Sequence, residues 1–167
     1  MKFLRIALAV ALALALQTTL ARFMVRGTAA VDLVLVVVVY AALTGGPVAG
    51  MLAGSIGGLV QDGLSSGVIG ISGLAKSMVG FLAGMIGQQF IVTAALPRLV
   101  MFVGATLVHA IIFMGLYMLL GLRSFSSPLA AAFGQAAGNA VVGMIAFTII
   151  EALPGMIERR KVSRPRK

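Results

Sequence analysis

Residues 45–87 read GGPVAGMLAGSIGGLVQDGLSSGVIGISGLAKSMVGFLAGMIG, a composition that an ordinary membrane-spanning helix does not need. The stretch holds thirteen of the chain's twenty-one glycines, arranged around a short polar passage at Gln61 and Asp62. Apolar segments flank this passage at 47–60 and 74–90. Glycine lowers the helix propensity of a helix that faces only lipid, but glycine at intervals of four residues lets two helix backbones approach closely. The pattern therefore predicts a closely packed helical hairpin.

The glycine spacing defines a stripe along the first segment of this hairpin. The stripe comprises Gly50, Gly54 and Gly58, and Asp62 continues it one turn further. Gly80 and Gly84 repeat the spacing on the second segment. We interpret the region as a partner-docking surface or as internal architecture, formed by Gly50, Gly54, Gly58, Gln61, Asp62 and Lys76.

The composition identifies the class of protein. Hydrophobic residues make up 60% of the chain and charged residues only 10%, and the mean hydropathy is +1.12. These values predict an integral membrane protein. The 167 residues form one compact domain and leave no room for a separate soluble domain. The chain has no cysteine, which excludes a disulfide, a thiolate nucleophile and a thiolate metal site.

The net charge of +9 does not indicate nucleic-acid binding, because the basic residues do not form one continuous face. Six of the thirteen basic residues lie in the last nine positions, and the others flank apolar segments. This is how membrane topology signals are arranged. Nucleic-acid binders show a basic face with interleaved aromatic residues.

Six apolar segments are predicted to be transmembrane helices, since lipid offers no partner to an open strand edge. Residues 1–157 form the single membrane domain, Pro154-Gly155 ends its last helix, and 158–167 form an unfolded basic tail. Two interpretations of residues 1–21 stay open, a retained first span and a cleaved signal peptide; Arg22 and a weak cleavage site favour the retained span. The segments are 6–16, 29–43, 47–60, 74–90, 97–122 and 130–153.

Six spans place both termini on the same side of the membrane. The cytoplasmic side then holds nine basic residues and the outer side four, in agreement with the positive-inside rule. The nine are Lys2, Arg5, Arg98 and the six in the tail; the four are Arg22, Arg26, Lys76 and Arg123. The tail is expected to contact anionic lipid, at about 1 kcal/mol per basic residue near the surface.

The few polar residues inside the apolar segments are candidate functional residues, because burying an unpaired ionisable group is expensive. For Asp62 we favour a structural role, either capping the loop that follows or pairing with Lys76; alternatively, Lys76 extends to the boundary unpaired. Asp32 is predicted to form a weak interfacial pair with Arg26.

The remaining polar residues of the segments have simple structural interpretations. His109 and Asn139 are predicted as interior polar residues, with His109 hydrogen-bonded in preference to acting as a proton relay or metal ligand. Ser72 is expected to cap the fourth helix, and Glu151 to pair with a basic residue near the cytoplasmic boundary. The sequence has no catalytic constellation, metal-ligand set or phosphate-binding loop. We therefore predict a protein that is not an enzyme and binds no cofactor.

The passage from Asp32 to Gly87 resembles the MreD family, the small multi-span proteins of the bacterial rod-shape system. The resemblance lies in Asp32-Leu33 opening an aliphatic span, a Gly-Gly-Pro turn, and Gly57-Gly58-Leu59-Val60-Gln61-Asp62 followed by Leu64 and Ser65. It implies an all-α, six-transmembrane-helix bundle like the substrate-binding subunit of energy-coupling-factor transporters. It also implies a location in the bacterial cytoplasmic membrane.

The resemblance implies a function as well. The family is expected to bind MreC in the complex for lateral peptidoglycan synthesis, together with RodA and a class B penicillin-binding protein. The alternative is a substrate-capture subunit of a vitamin or metal transporter, which needs a pocket with convergent polar groups. A pocket lined by Asp62, Lys76, His109 and Asn139 would favour the transporter.

Overall fold

The described residues form six α-helices and contain no β-strand. The computed structural model describes residues 2–21, 31–65, 67–90, 94–122 and 127–162. The helices are α1 (Lys2–Ala21), α2 (Leu33–Gly45), α3 (Pro47–Leu64), α4 (Ile71–Gln89), α5 (Ala95–Leu119) and α6 (Pro128–Val162).

Within the part of the chain that the structure describes, two stretches are long and apolar enough to cross a membrane by length and composition, Ala95–Leu119 and Pro128–Ala152. Shorter apolar helical stretches lie at Ile6–Thr19 and Leu33–Gly45. α3 has 18 residues, which gives a helix about 27 Å long at 1.5 Å per residue. The predicted segment 47–60 ends too early, although an end beyond Gln61 was one of its open alternatives: α3 continues through the polar Gln61 and Asp62.

Two other predicted helix boundaries were wrong. α4 begins at Ile71 with Gly70 as its N-cap residue, so Ser72 lies inside the helix and does not cap it. α6 continues to Val162, past Pro154-Gly155, and the first five residues of the predicted tail are helical. A proline inside a helix removes one backbone donor, and helices that cross membranes tolerate this loss when neighbouring groups re-satisfy the freed carbonyl.

α3 and α4 pack backbone to backbone along the glycine stripe. A Cβ atom on Gly54 would collide with the backbone of Lys76, and a Cβ atom on Gly58 would lie 2.6 Å from the Cα atom of Gly73. Gly50 and Gly80 face each other in the same way. The Gly50, Gly54 and Gly58 face of α3 is therefore covered by α4, which is the arrangement that the internal-architecture alternative describes.

Two apolar clusters fill the remaining interior. The first joins α1, α2 and α3, and its buried members are Val10, Ala13, Leu14, Val34, Val38, Ala41 and Ala53. The second joins α2, α4, α5 and α6, and its buried members are Leu35, Val36, Val39, Val79, Phe102, Ala105, Ala140 and Phe147. α2 contributes to both clusters, which explains why its aliphatic run is apolar all round its circumference.

Candidate functional site

A buried ion pair lies inside the bundle. Nζ of Lys76 is 2.7 Å from Oδ2 of Asp32, and the two side chains are only 1% and 5% exposed. Asp32 is the N-cap residue of α2, and its Oδ1 atom accepts a hydrogen bond from the backbone N–H of Leu35 at 3.0 Å. Burying two charges is tolerable only when they are paired and hydrogen-bonded. The pair therefore joins the start of α2 firmly to α4.

His109 on α5 extends the pair. Its Nε2 atom lies 3.4 Å from Nζ of Lys76. A charged lysine can only donate, so Nε2 of His109 is the acceptor in this contact. Nδ1 of His109 and Oε1 of Gln61 are buried without a hydrogen-bond partner among the described residues. His109 is thus an interior residue that interacts with Lys76.

A second arm of the network reaches α6 through Asn139. Oδ1 of Asn139 accepts a hydrogen bond from the backbone N–H of Asp32 at 2.7 Å. Nδ2 of Asn139 donates to Oγ1 of Thr106 at 3.1 Å, and Thr106 donates to the carbonyl oxygen of Phe102 at 2.8 Å. Four helices, α2, α4, α5 and α6, are therefore connected through polar contacts that lipid cannot replace.

The structure corrects two predictions about charged residues. Asp32 is not at an exposed interface but 3% exposed inside the bundle; the predicted partner, Arg26, lies outside the described residues. Lys76 neither pairs with Asp62 nor extends to the boundary, because Asp32 binds its ammonium group. The sequence offered a partial signal for this pair, because Asp32 and Lys76 each lie near the start of a helix.

Asp62 acts at the start of α4. Its Oδ2 atom accepts hydrogen bonds from the backbone N–H groups of Gly70 at 2.9 Å, Ser72 at 3.0 Å and Gly73 at 3.4 Å. The first N–H groups of a helix have no partner within the helix, and a carboxylate also interacts favourably with the positive end of the helix dipole. Asp62 therefore supplies from α3 the cap that Gly70 cannot provide.

We expect Asp62→Ala to destabilise the protein by about 2 kcal/mol, at the upper end for a lost helix cap. The reason is that the variant leaves three N–H groups without their acceptor. Hydrogen exchange at the amides of Ser72 and Gly73 should quicken before exchange in the middle of α4. Ser55→Ala, which removes only an exposed hydroxyl bonded within α3, is the control. Unchanged exchange in Asp62→Ala would contradict the capping role.

A second ion pair lies at the opposite end of the bundle. Arg98 on α5 donates from Nη1 to Oε2 of Glu151 on α6 at 2.8 Å. The guanidinium carbon of Arg98 also lies 4.6 Å from the ring centre of Phe147. Glu151 is half exposed and Arg98 is 11% exposed. Glu151, which was predicted to be a charge partner above the basic tail, thus pairs with Arg98, and the pair holds α5 against α6.

A groove between α4 and α5 has a volume of about 340 Å³. It is apolar, and it is lined by Val79, Leu82, Ala83, Ile86, Val100, Met101, Gly104, Ala105 and Val108. Asp62, Lys76, His109 and Asn139 do not line it. A Cβ atom added to Gly104 would meet nothing within 4 Å, so the backbone of α5 is accessible there.

The described residues hold no group of three or more His, Cys, Asp or Glu side chains that could bind a metal ion. Sequence reasoning missed two polar residues that matter to the geometry. Thr106 carries the network from Asn139 into α5, and the hydroxyl of Tyr117 contacts the backbone N–H of Val68 at 3.3 Å. A tyrosine in an apolar helix gives little signal, because tyrosine is also common at lipid boundaries.

The amino-acid sequence of the chain matches one known protein family. Residues 1–156 match the family model described as rod shape-determining protein MreD. Curated proteins and solved structures gave no match. The family match covers the whole described bundle up to the last part of α6, including the glycine stripe, the capping aspartate and the buried ion pair. The chain belongs to the MreD family of rod shape-determining membrane proteins.

Proposed function

We propose that this protein is a non-enzymatic scaffold of lateral peptidoglycan synthesis that binds MreC and supports cell shape. The observation that carries the proposal is that the buried charged side chains bind groups within the bundle itself. Asp32, Lys76 and Asp62 all bind other groups of the bundle, so they stabilise one arrangement of helices. A rigid bundle suits a protein whose task is to hold another protein, with RodA and a class B penicillin-binding protein as further members of the complex.

We propose that the protein is a six-span bundle in the bacterial cytoplasmic membrane, with both termini in the cytoplasm. Its proposed fold is like that of the substrate-binding subunit of energy-coupling-factor transporters. The distribution of basic residues supports it, with nine on the cytoplasmic side and four outside. The basic tail would then lie next to anionic lipid. α3 and α4 count as spans because their length is close to the thickness of the hydrocarbon core.

The groove weighs against the transporter alternative. A substrate-capture subunit needs several polar groups that converge on its ligand, whereas the groove between α4 and α5 is lined by apolar residues. Lys76 and Asn139 face other side chains of the bundle instead.

We propose the groove as the docking surface for the membrane helix of MreC. The glycine stripe on α3 is already covered by α4, so a partner must bind elsewhere. In lipid, helices associate where small residues let their backbones approach, and Gly104 provides such a point at the groove. The lining from Val79 to Ile86 extends about 10 Å along α4, which matches about two turns of a packed helix.

Co-purification with tagged MreC tests the docking surface. We expect Gly104→Phe to reduce the recovery of MreC at least tenfold, because the phenyl ring fills the groove. Gly115→Phe is the matched control, since Gly115 lies on the same helix, also has nothing within 4 Å of its Cβ position and does not line the groove. Both variants should remain monodisperse and helical by circular dichroism.

The outcomes distinguish the proposed scaffold function from the proposed docking surface. Full recovery of MreC with Gly104→Phe would place the partner surface elsewhere and leave the scaffold function standing. Absence of MreC binding by the wild-type protein, purified in a folded state, would overturn the proposed function itself.

A further inference from the structure

The connection between α3 and α4 presents apolar side chains outward. Leu64 at the end of α3 is 60% exposed, and Val68 and Ile69 in the connection are 42% and 71% exposed. A connection that lies in water usually carries polar side chains here, because exposed aliphatic groups gain nothing from water. This one places its largest aliphatic groups at the surface.

Several backbone donors at this connection and at the start of α4 are bound within the protein. Asp62 accepts from Gly70, Ser72 and Gly73, and the hydroxyl of Tyr117 accepts from Val68. The N–H of Ser65 donates to the carbonyl oxygen of Gln61 at 3.0 Å. Water could satisfy these donors in an aqueous loop. In lipid, however, each unsatisfied N–H group costs several kcal/mol.

The neighbouring end of α5 is apolar at the same level. Tyr117 brings the connection against α5, and the residues that follow it, Leu119 and Leu120, are 83% and 58% exposed. Two elements far apart in the chain therefore form one apolar rim, which we define as Leu64, Val68, Ile69, Leu119 and Leu120.

We propose that this rim is immersed in the bilayer, so that the connection between α3 and α4 contacts lipid acyl chains and not water. Asp62 and Tyr117 favour the immersion, because they bind N–H groups of Val68 and Gly70 that lipid cannot satisfy. Non-helical backbone at membrane depth is tolerated only where protein or a water-filled cavity surrounds it, so the backbone of the connection packs on the bundle while its aliphatic side chains contact lipid. The inference needs only that the bundle sits in a membrane; it does not depend on MreC binding or on which side of the membrane the rim faces.

Spin labelling tests the immersion, and the chain suits it because it has no native cysteine. Nitroxide labels at Ile69→Cys and Ser127→Cys would be compared in the full-length protein in phosphatidylethanolamine–phosphatidylglycerol vesicles. Ser127 is exposed beside the start of α6, at the same end of the bundle. We expect the ratio of collision rates with oxygen, which partitions into lipid, to those with a water-soluble nickel complex to be several-fold higher at 69 than at 127. Equal ratios would overturn the proposal.

Two further experiments test whether lipid or MreC covers the rim, and what Asp62 contributes. A label at 69 that is water-accessible in lipid vesicles but becomes protected when MreC is added would overturn lipid contact and assign the rim to the partner. Adding Asp62→Ala to the Ile69→Cys protein should lower the oxygen-to-nickel ratio, because the freed N–H groups draw the connection towards water. An unchanged ratio would overturn the role given to Asp62.

Discussion

Replacing Lys76 with methionine is expected to destabilise the protein by about 3–5 kcal/mol, the usual loss when one partner of a buried ion pair is removed. Methionine is similar in length to the lysine stem, so the packing around this 1%-exposed side chain changes little. What changes is that the Asp32 carboxylate stays buried without its cation, and Nε2 of His109 loses its donor. The midpoint of thermal unfolding, or the free energy of unfolding in mixed detergent micelles, measures the loss.

A double variant distinguishes the loss of charge pairing from the loss of packing. Asp32→Asn together with Lys76→Met removes both charges, and it should recover a substantial part of the stability that Lys76→Met loses. Ser77→Ala, next to Lys76 on α4, removes only a hydroxyl bonded to a carbonyl of its own helix, and it should leave stability nearly unchanged. If Lys76→Met were as stable as Ser77→Ala, the ion pair would not stabilise the bundle.

Adding one methyl group at Gly54 is expected to have the second largest effect. The new Cβ atom of Gly54→Ala would meet the backbone of Lys76 and Ser77, and backbone atoms cannot move aside as a flexible side chain can. Overpacking typically costs about 1–3 kcal/mol, and occasionally more. We expect about 3 kcal/mol, because α3 and α4 must separate along their whole contact. The free energy of unfolding in detergent micelles is again the measurement.

Gly63→Ala on the same helix is the matched control, with an expected change of opposite sign. A Cβ atom at Gly63 meets nothing within 4 Å, so alanine brings only its better helix propensity, about 1 kcal/mol. The same chemical substitution should therefore stabilise at one glycine of α3 and destabilise at another nine residues earlier. Equal effects at both positions would show that helix propensity alone, and not close packing, explains the glycines.

The helical hairpin could be predicted from the sequence because its signal is local. Glycines at intervals of four residues on both segments determine which faces can meet, and the structure pairs Gly50 with Gly80 and Gly54 with the backbone of Lys76. The same pattern could not tell whether a partner or the chain itself covers the stripe. Because the glycines of α3 and those of α4 are complementary, the two helices pack on each other and leave neither stripe for a partner.

The buried network could not be predicted in the same way, because its contacts join residues far apart in the chain. Spacing shows that Asp32 and Lys76 begin their helices, but it does not show that α2 and α4 are neighbours. Asn139 and Thr106 come together only after α5 and α6 pack, which depends on Phe102 and Phe147. The choice between Asp62 and Asp32 as the partner of Lys76 is likewise a property of the packed bundle.

The position of the carboxylate ahead of the lysine in the chain bears on biosynthesis. A membrane protein is made from its N-terminus, so the helix that carries Asp32 is present before the ribosome has synthesised Lys76. A lysine opposes the insertion of an isolated helix, by about 2.5–3.5 kcal/mol at the helix centre and by less near a helix end, where Lys76 lies. Here the carboxylate of Asp32 is already present when Lys76 is synthesised, and a short connection joins α3 to α4. The bundle thus contains, in the order of its residues, a means of bringing a charged helix into the membrane.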